Sequence, residues 1–403
     1  MMRSVDEHLA ACLSVLSPLP VVELPLLEAV GCVLAQDVVS AIDMPRFDNS
    51  SMDGYAVRAA EVARTPVTLP VLGDIPAGRG DALELAPGTT MRIMTGAPVP
   101  AGADAVVQVE ATDGGTETVR IDRSSQPGQF IRRAGEDVRE GQTVLTAGTP
   151  LTARHISLAA SVGAERLSVH PRPRVLVLPS GSELVPPGKA LQAGQIHDSN
   201  GYGLVAAALE AGAVARHGGI MADTPEQVGP ALEKAAAEAD LIITTGGVSA
   251  GAYDTVKAVL RELGTVEFVP VAMQPGKPQG FGTIGPKRTP LFTLPGNPVS
   301  SLLSFQVFIV PALRRLAGRP DAEPPHRKAT VVEGWRSPAG RRQFTRCLLT
   351  VTAAGPTVRP VGGQGSHLVA DLAGANCLVI VPEEVTEVSP GDELVYIVLE
   401  SGS

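Results

Sequence analysis

Aromatic residues are few in this 403-residue chain, 3 % of the total with a single tryptophan. Successive platforms for stacked bases are therefore lacking, which argues against single-stranded nucleic-acid binding. Positive charge is also short. The formal net charge of −9 is the opposite of a nucleic-acid footprint, so any anion must be bound by a local site. The four cysteines, Cys12, Cys32, Cys347 and Cys377, lie far apart with no CxxC pair. A zinc knuckle or dithiol redox motif has little support, and buried reduced thiols are expected. No apolar run is read as reaching the ~18 residues that span a bilayer, so no membrane association is expected. The opening MMRSVDEHLAACLSVL has early acids and no cleavage site, unlike a secretory leader. With 44 % hydrophobic and 19 % charged residues, the expectation is a globular cytoplasmic protein with roughly two to four domains.

The chain is organised by texture. Ser4 and Glu7 have capping-box spacing ahead of Val5, Leu9, Leu13 and Leu16, which predicts an opening amphipathic helix. Residues 45–137 carry short β-prone runs (AVVQVE, ETVRI, QFIRR) between Gly, Pro and Asp punctuation, a small β-rich unit. A helical pattern then returns in LTARHISLAASVGAERLSV. It is expected to pack beside the opening helix, making 1–44 and 138–171 one discontinuous helical domain with the β unit inserted. From 172 to 318, apolar runs (RVLVLPS, AVARHGGIM, LIITT) alternate with helical patterns. This predicts an α/β domain with a mostly parallel sheet, which would bind ligands beyond the carboxyl ends of its strands. The polar, Pro-rich GRPDAEPPH reads as a linker, and short strands predict a C-terminal β domain over 325–403.

Several stretches carry more chemistry than structure needs. TTGGVSAGAYD joins a strand to a helix. Gly246, Gly247 and Gly251 allow close approach of backbone to a ligand, and the helix start offers free N–H groups. This suits a phosphate, although a tight turn without ligand is the plain alternative. Asp254 starts that helix, Asp223 precedes the one begun by Pro225, and Glu183 follows a strand in PSGSELV. Three acids past strand ends would converge on one sheet edge and suggest a divalent cation; they also read as unrelated surface acids. In LPGNPVSS, Pro295 stops a strand, Asn297 can cap the next helix and Pro298 presets its first turn. Ser300 and Ser301 are then expected to face outward, an arrangement that suits an oxyanion. Nearby QPGKPQGFG holds Lys277 between Gly276 and Pro278. FDNSSMDGYAV, RIMTGAPVPAGADAVV with Thr95, and GGQGSHL with Ser366 and His367 are polar loops of similar character.

Taken in order, FDNSSMDGYAVR, IMTGAPVPAGADAVV, IRRAGEDV, SGSEL, GQIHDSN, TTGGVSAGAYD, PGKP, LPGNPVS and GGQGSH resemble the molybdopterin molybdenumtransferase family, which includes the E domain of gephyrin. The resemblance covers essentially the whole chain. It implies an α/β molybdopterin-binding domain, a discontinuous helical domain, an inserted β domain and a small barrel-like C-terminal β domain. It further implies a homodimer whose active site is shared between subunits. The implied reaction takes molybdate and adenylylated molybdopterin with Mg²⁺, supplied by an upstream molybdopterin adenylyltransferase, and releases AMP. By resemblance, Asp53, Thr95 and Asp137 act from the β domain, and Glu183, Asp223 and Asp254 serve as Mg²⁺ or water-positioning acids. Gly246, Gly247 and Ser249 line the pterin-phosphate cradle, while Lys277, Ser300, Arg346 and Ser366 hold molybdate. Pro270 and Gln274 stand where family members often carry lysine, so charge is expected from Arg341, Arg342, Arg346, Arg132 or Arg133. Two rivals are an adenylyltransferase, which resembles the α/β domain alone, and a non-catalytic scaffold, which is expected to carry an added partner-binding domain.

Overall fold

The computed structural model describes residues 2–78, 83–221, 224–246, 255–323 and 325–399. The predicted capping box is present. Ser4 Oγ accepts from the Glu7 backbone at 3.1 Å, and the Glu7 carboxylate accepts from the Ser4 backbone at 2.8 Å, which starts the helix Val5–Ser14. Its partner differs from expectation. Val5, Leu9, Cys12 and Leu16 enter the main core with Val299, Phe305, Phe308 and Leu313. The His8 ring meets the Phe308 ring edge-on at 4.9 Å. The later helix, Ala153–Ser161, buries Ile156 and Ala159 in a separate cluster with Leu34, Leu145 and Leu167. An amphipathic stripe specifies burial, not the surface it is buried against.

The segments before and after the β unit meet through strands instead. Arg166–His170 lies between Val22–Pro25 and Val33–Leu34 in an antiparallel sheet, and Thr143–Leu145 pairs with Val38–Val39. Between these two passes, the described residues form a five-stranded sheet in the order Ala105–Gln108, Gly54–Val57, Thr90–Ile93, Val67–Ile75, Thr118–Ile121. The second strand in this order, Gly54–Val57, admits only glycine at its first position. A Cβ on Gly54 would lie 2.0 Å from the Val107 carbonyl oxygen. A short ladder, Asn49–Ser50 with Ile131–Arg132, lays the loop before Asp53 beside the loop before Asp137.

The α/β domain follows the predicted alternation. Its sheet runs Val214–His217, Arg174–Pro179, Leu241–Thr245, Thr289–Leu294, Pro278–Ile284, Glu267–Pro270. The first four strands are mutually parallel and the last two are antiparallel additions. LIITT is buried at every position, as a central strand covered on both faces requires.

The helix Pro298–Leu316 corrects one sequence expectation. Over 19 residues it is long and apolar enough to cross a bilayer, yet 72 % of its most apolar window is buried, so it is a core helix. It widens to a π turn at Phe305–Ile309. Pro311 lies just beyond and offers no N–H to the preceding turn, a known cause of such a local change in register.

The C-terminal strands close on themselves. Arg342–Thr352 pairs with both Gly355–Pro360 and Cys377–Val381, and Arg327–Val331 and Glu393–Val398 complete the ring. Cys347 and Cys377 face each other inside this barrel. All four cysteines are buried and free, and burial pushes the Cys377 thiol up to about 12. Met273–Gln274, from the α/β side, adds to the barrel as a parallel strand alongside Arg342 and Gln343.

Candidate active site

Three parallel strands of the α/β sheet end together at Pro179, Thr245 and Leu294. Their carboxyl ends are tied by Asn200, the first residue of the helix Asn200–Glu210. Its side-chain nitrogen donates to Thr245 Oγ1 at 3.0 Å and to the Gly296 carbonyl at 2.7 Å. Thr245 Oγ1 in turn donates to the Pro295 carbonyl at 3.2 Å. The helix start is itself held by the buried carboxylate of Asp198, which accepts from the Gly201 backbone at 2.8 Å and contacts His217 Nε2 at 2.7 Å. His217 Nδ1 accepts from the Gly219 backbone at 2.9 Å, which leaves Nε2 as the donor to Asp198. GQIHDSN was legible as a motif, but no single residue in it stood out.

Gly246 follows the middle strand with φ of +93°, and a Cβ there would lie 2.3 Å from the Ser180 carbonyl oxygen. Glycine is therefore required where the phosphate cradle was expected. Glu183 lies in the loop after the Arg174–Pro179 strand, exposed to solvent. A Cβ on Gly181 would meet its carboxylate at 2.6 Å, so the acid is folded back over its own loop. Gly247, Ser249, Gly251, Asp223 and Asp254 lie outside the described residues.

The LPGNPVSS corner differs from its sequence reading in two respects. Asn297 precedes the helix at Pro298 but makes no side-chain cap. Its Nδ2 donates instead to Ser366 Oγ at 2.9 Å, and the Val299 backbone donates to the Ser366 carbonyl at 3.1 Å. Ser300 and Ser301 do not face outward. They are 4 % and 0 % exposed, and Ser301 Oγ lies 3.4 Å from Thr245 Oγ1 beneath the strand end. The helix packs on the sheet through this face, which takes the Ser301 hydroxyl inside.

Arg346 is 4 % exposed, on the barrel strand Arg342–Thr352. Its guanidinium donates to the carbonyls of Gly365 and Leu368, both at 3.2 Å, and of Gly363. It thereby fixes the GGQGSHL loop that carries Ser366. Carbonyls do not neutralise a cation, so the positive charge persists. Burial holds its pKa below the usual range for arginine, against the opposing field of Asp371. Lys277 is exposed in the preceding loop. Of the other candidate cations, Arg342 is paired with Asp6 (2.6 and 2.8 Å) and Glu383 (3.1 Å). Arg133 is paired with Asp48. Arg341 donates to the Gln274 side-chain oxygen at 3.2 Å, and it meets no acid among the described residues.

In the β unit, Asp53 and Thr95 come together. Asp53 Oδ1 accepts from the Thr95 backbone at 2.6 Å and from its hydroxyl at 2.9 Å. These bonds, the backbone one first, hold the Asp53 carboxyl below the usual carboxylate range, so it stays ionised at neutral pH. Asp137 is exposed on the adjoining loop, where its backbone donates to the Met44 carbonyl at 3.0 Å. No side-chain bond joins it to Asp53 or Thr95 among the described residues. Phe47 and Met52, in the stretch that leads to Asp53, are 47 % and 39 % exposed.

This architecture, with Gly246 and Glu183 at the α/β strand ends, a barrel loop docked against the sheet and a separate Asp–Thr turn, is that of a molybdopterin-handling enzyme. The chain belongs to the molybdopterin molybdenumtransferase family, whose enzymes act in molybdenum cofactor biosynthesis. Residues 3–163 match the MoeA N-terminal region (domain I and II), 176–315 a probable molybdopterin binding domain, and 328–399 the MoeA C-terminal region (domain IV). Molybdopterin molybdenumtransferase 2 of Mycobacterium tuberculosis is 49 % identical over 98 % of both chains. The molybdopterin molybdenumtransferase of Haemophilus influenzae is 38 % identical over 92 % of this chain and 91 % of its own. A crystal structure of the molybdopterin biosynthesis protein MoeA from Pyrococcus horikoshii superposes with a TM-score of 0.82 at 32 % identity, covering 99 % of this chain and 100 % of that one.

Proposed function

We propose that the chain inserts molybdenum from molybdate into adenylylated molybdopterin, with release of AMP. The adenylyl phosphoanhydride is hydrolysed: one P–O bond breaks, the oxygen of a water joins phosphorus, and AMP departs. The dithiolene sulfurs then take molybdenum, and oxide oxygens leave as water with the thiol protons. Two anionic reactants need two polar cradles. Gly246, with Gly247 and Ser249 following in the sequence, serves the phosphates. Lys277, Ser300, Arg346 and Ser366 serve molybdate, with Arg346 also holding the loop in place. The observation that carries this reading is the 2.9 Å contact between Asn297 and Ser366, which brings a hydroxyl of the barrel loop against the end of the α/β sheet.

Glu183, Asp223 and Asp254 position Mg²⁺ or the attacking water in this proposal. Among the described residues no group of three His, Cys, Asp or Glu side chains is placed to hold an ion. Magnesium is commonly held by one or two carboxylates plus substrate phosphates, and the solvent-facing Glu183 fits one corner of such a shell. When bound, the ion would offset charge on the phosphoanhydride. Asp53, Thr95 and Asp137 of one subunit complete the site of its partner in a homodimer. The substrate comes from a molybdopterin adenylyltransferase in the cytoplasm. The domain limits 1–44 with 138–171, 45–137, 172–318 and 325–403 belong to the same proposal.

The test is AMP release from adenylylated molybdopterin in the presence of molybdate and Mg²⁺. Asp254→Asn is expected to fold and dimerise yet release no AMP. Undiminished release by that variant would overturn the assignment of the acids.

A further inference from the structure

Asp198 and His217 come from different elements, the loop before the helix Asn200–Glu210 and the end of the edge strand Val214–His217. The Asp198 side chain is fully buried and that of His217 mostly so. The pair rests directly on the helix start. A Cβ on Gly201 would lie 2.3 Å from Asp198 Oδ2 and 2.5 Å from His217 Nε2, so glycine is needed there for the backbone to approach the pair. A helix start asks only for an acceptor, which a Ser, Thr, Asn or Asp side chain supplies. Burying the carboxylate is costly unless it is hydrogen-bonded, and a histidine beside it exceeds what a cap requires.

Each partner leads to a different wall of the Gly246 turn. From Asp198 the path runs through the helix start to Asn200, whose amide holds Thr245 Oγ1 and the Gly296 carbonyl. From His217 it runs through the Gly219 N–H, which Nδ1 accepts in a turn with φ of +97° at Gly219. Two residues on, the Met221 backbone donates to the Pro179 carbonyl at 2.8 Å, and Met221 bridges to Ser180. Ser180 donates its N–H to the Thr245 carbonyl at 2.9 Å, and its own carbonyl is what confines Gly246. The turn is thus gripped from the Asn200 side and from the Ser180 side, and the two paths meet at the bond between Asp198 and His217.

We infer that His217, with Asp198, is a positioning residue for the phosphate-bearing reactant, holding the two walls of the Gly246 turn at a fixed separation. The inference rests on the proposal that Gly246 serves the phosphates of adenylylated molybdopterin. The imidazole is a two-sided bridge, accepting at Nδ1 and donating at Nε2, and it acts through the turn and not on the substrate.

The full-length protein is titrated with adenylylated molybdopterin by equilibrium dialysis, without molybdate or Mg²⁺, after thermal melts have identified the variants that fold. His217→Ala, and His217→Phe, which keeps a ring beside Tyr202 but removes both nitrogens, are each expected to weaken binding about tenfold. The molybdate concentration for half-maximal AMP release should change by less than about twofold. His217→Gln, whose amide nitrogen can still reach Asp198, should recover affinity to within about threefold of wild type. Nitrogen-15 spectra of the histidine rings should show His217 with its proton on Nε2. Wild-type affinity in the Ala and Phe variants overturns the inference. So does an equal loss in Gln, Phe and Ala, an equal loss toward both reactants, or a proton on Nδ1. Gly246→Ala separates the two ideas. If it weakens binding while the His217 variants do not, the phosphate reading stands and this inference falls. If it binds as wild type does, the phosphate reading falls and takes this inference with it.

Discussion

Asn297 and Ser366 are 69 positions apart and meet through one hydrogen bond, amide nitrogen to hydroxyl oxygen at 2.9 Å. The bond joins the α/β domain to the barrel at the point where both present polar groups. A side chain that would ordinarily cap its own helix has been redirected to hold a loop of another domain.

Asn297→Ala should therefore leave the folded protein close to its original stability, since a partly exposed neutral hydrogen bond contributes only about 1 kcal/mol. The molybdate concentration needed for half-maximal AMP release should rise several-fold, with binding of the pterin adenylate unchanged. Equal weakening toward both reactants would place the Asn297 contact elsewhere in the mechanism.

Arg346→Lys tests geometry against charge. Lysine keeps the cation but cannot direct planar donors at three carbonyls. The expected result is a fall in AMP release of about tenfold or more, with faster amide hydrogen exchange confined to residues 362–368. Full activity in the lysine variant would show that charge alone suffices.

Subunit mixing tests the proposed sharing of the site in a homodimer. Asp53→Asn and Glu183→Gln homodimers should each be inactive as prepared, because each loses one half of every site. After exchange of subunits, mixed dimers carry one intact site and activity should reappear. Two variants that stay silent after demonstrated exchange would assign Asp53 and Glu183 to the same half.

Stability should depend on pH through His8. Burial, with the charge of Arg3 adding, pushes its pKa down to about 4, and its Nδ1 has no partner among the described residues. The folded state therefore holds a neutral ring, while the unfolded chain takes up a proton below pH 6.5. Stability present above pH 6.5 is lost as pH falls toward 4, by about 2 kcal/mol at pH 5. His8→Phe should flatten this dependence in thermal melts between pH 7.5 and 5, and an unchanged slope would assign the acid sensitivity to other groups.

Much of the fold was legible because local rules and tertiary packing agree. LIITT and RVLVLP are apolar throughout because they are interior parallel strands, and Ser4 with Glu7 marks a helix start by chemistry alone. The partner of the opening helix was not legible, since the same stripe of Val5, Leu9 and Cys12 would suit either neighbouring layer. The site divides in the same way. Asp53 and Thr95 were both singled out in the sequence, and they bond directly. Asn200 was passed over because its contacts, to Thr245 and Gly296, span 45 and 96 positions and leave no local signature. Ser300 and Ser301 were read as facing solvent because spacing fixes their helix phase but not which side the sheet covers. Arg346 was singled out as a ligand, yet the carbonyls it grips are set by loop conformation, which composition does not encode.

The two-residue strand Met273–Gln274, zipped onto Arg342 and Gln343, has a mechanical effect. It lies immediately before the loop of Lys277, so that loop cannot drift from Arg346 without tearing a ladder. In the reading proposed above, a seat between them is a mould and not a jaw: its selectivity is cast in advance.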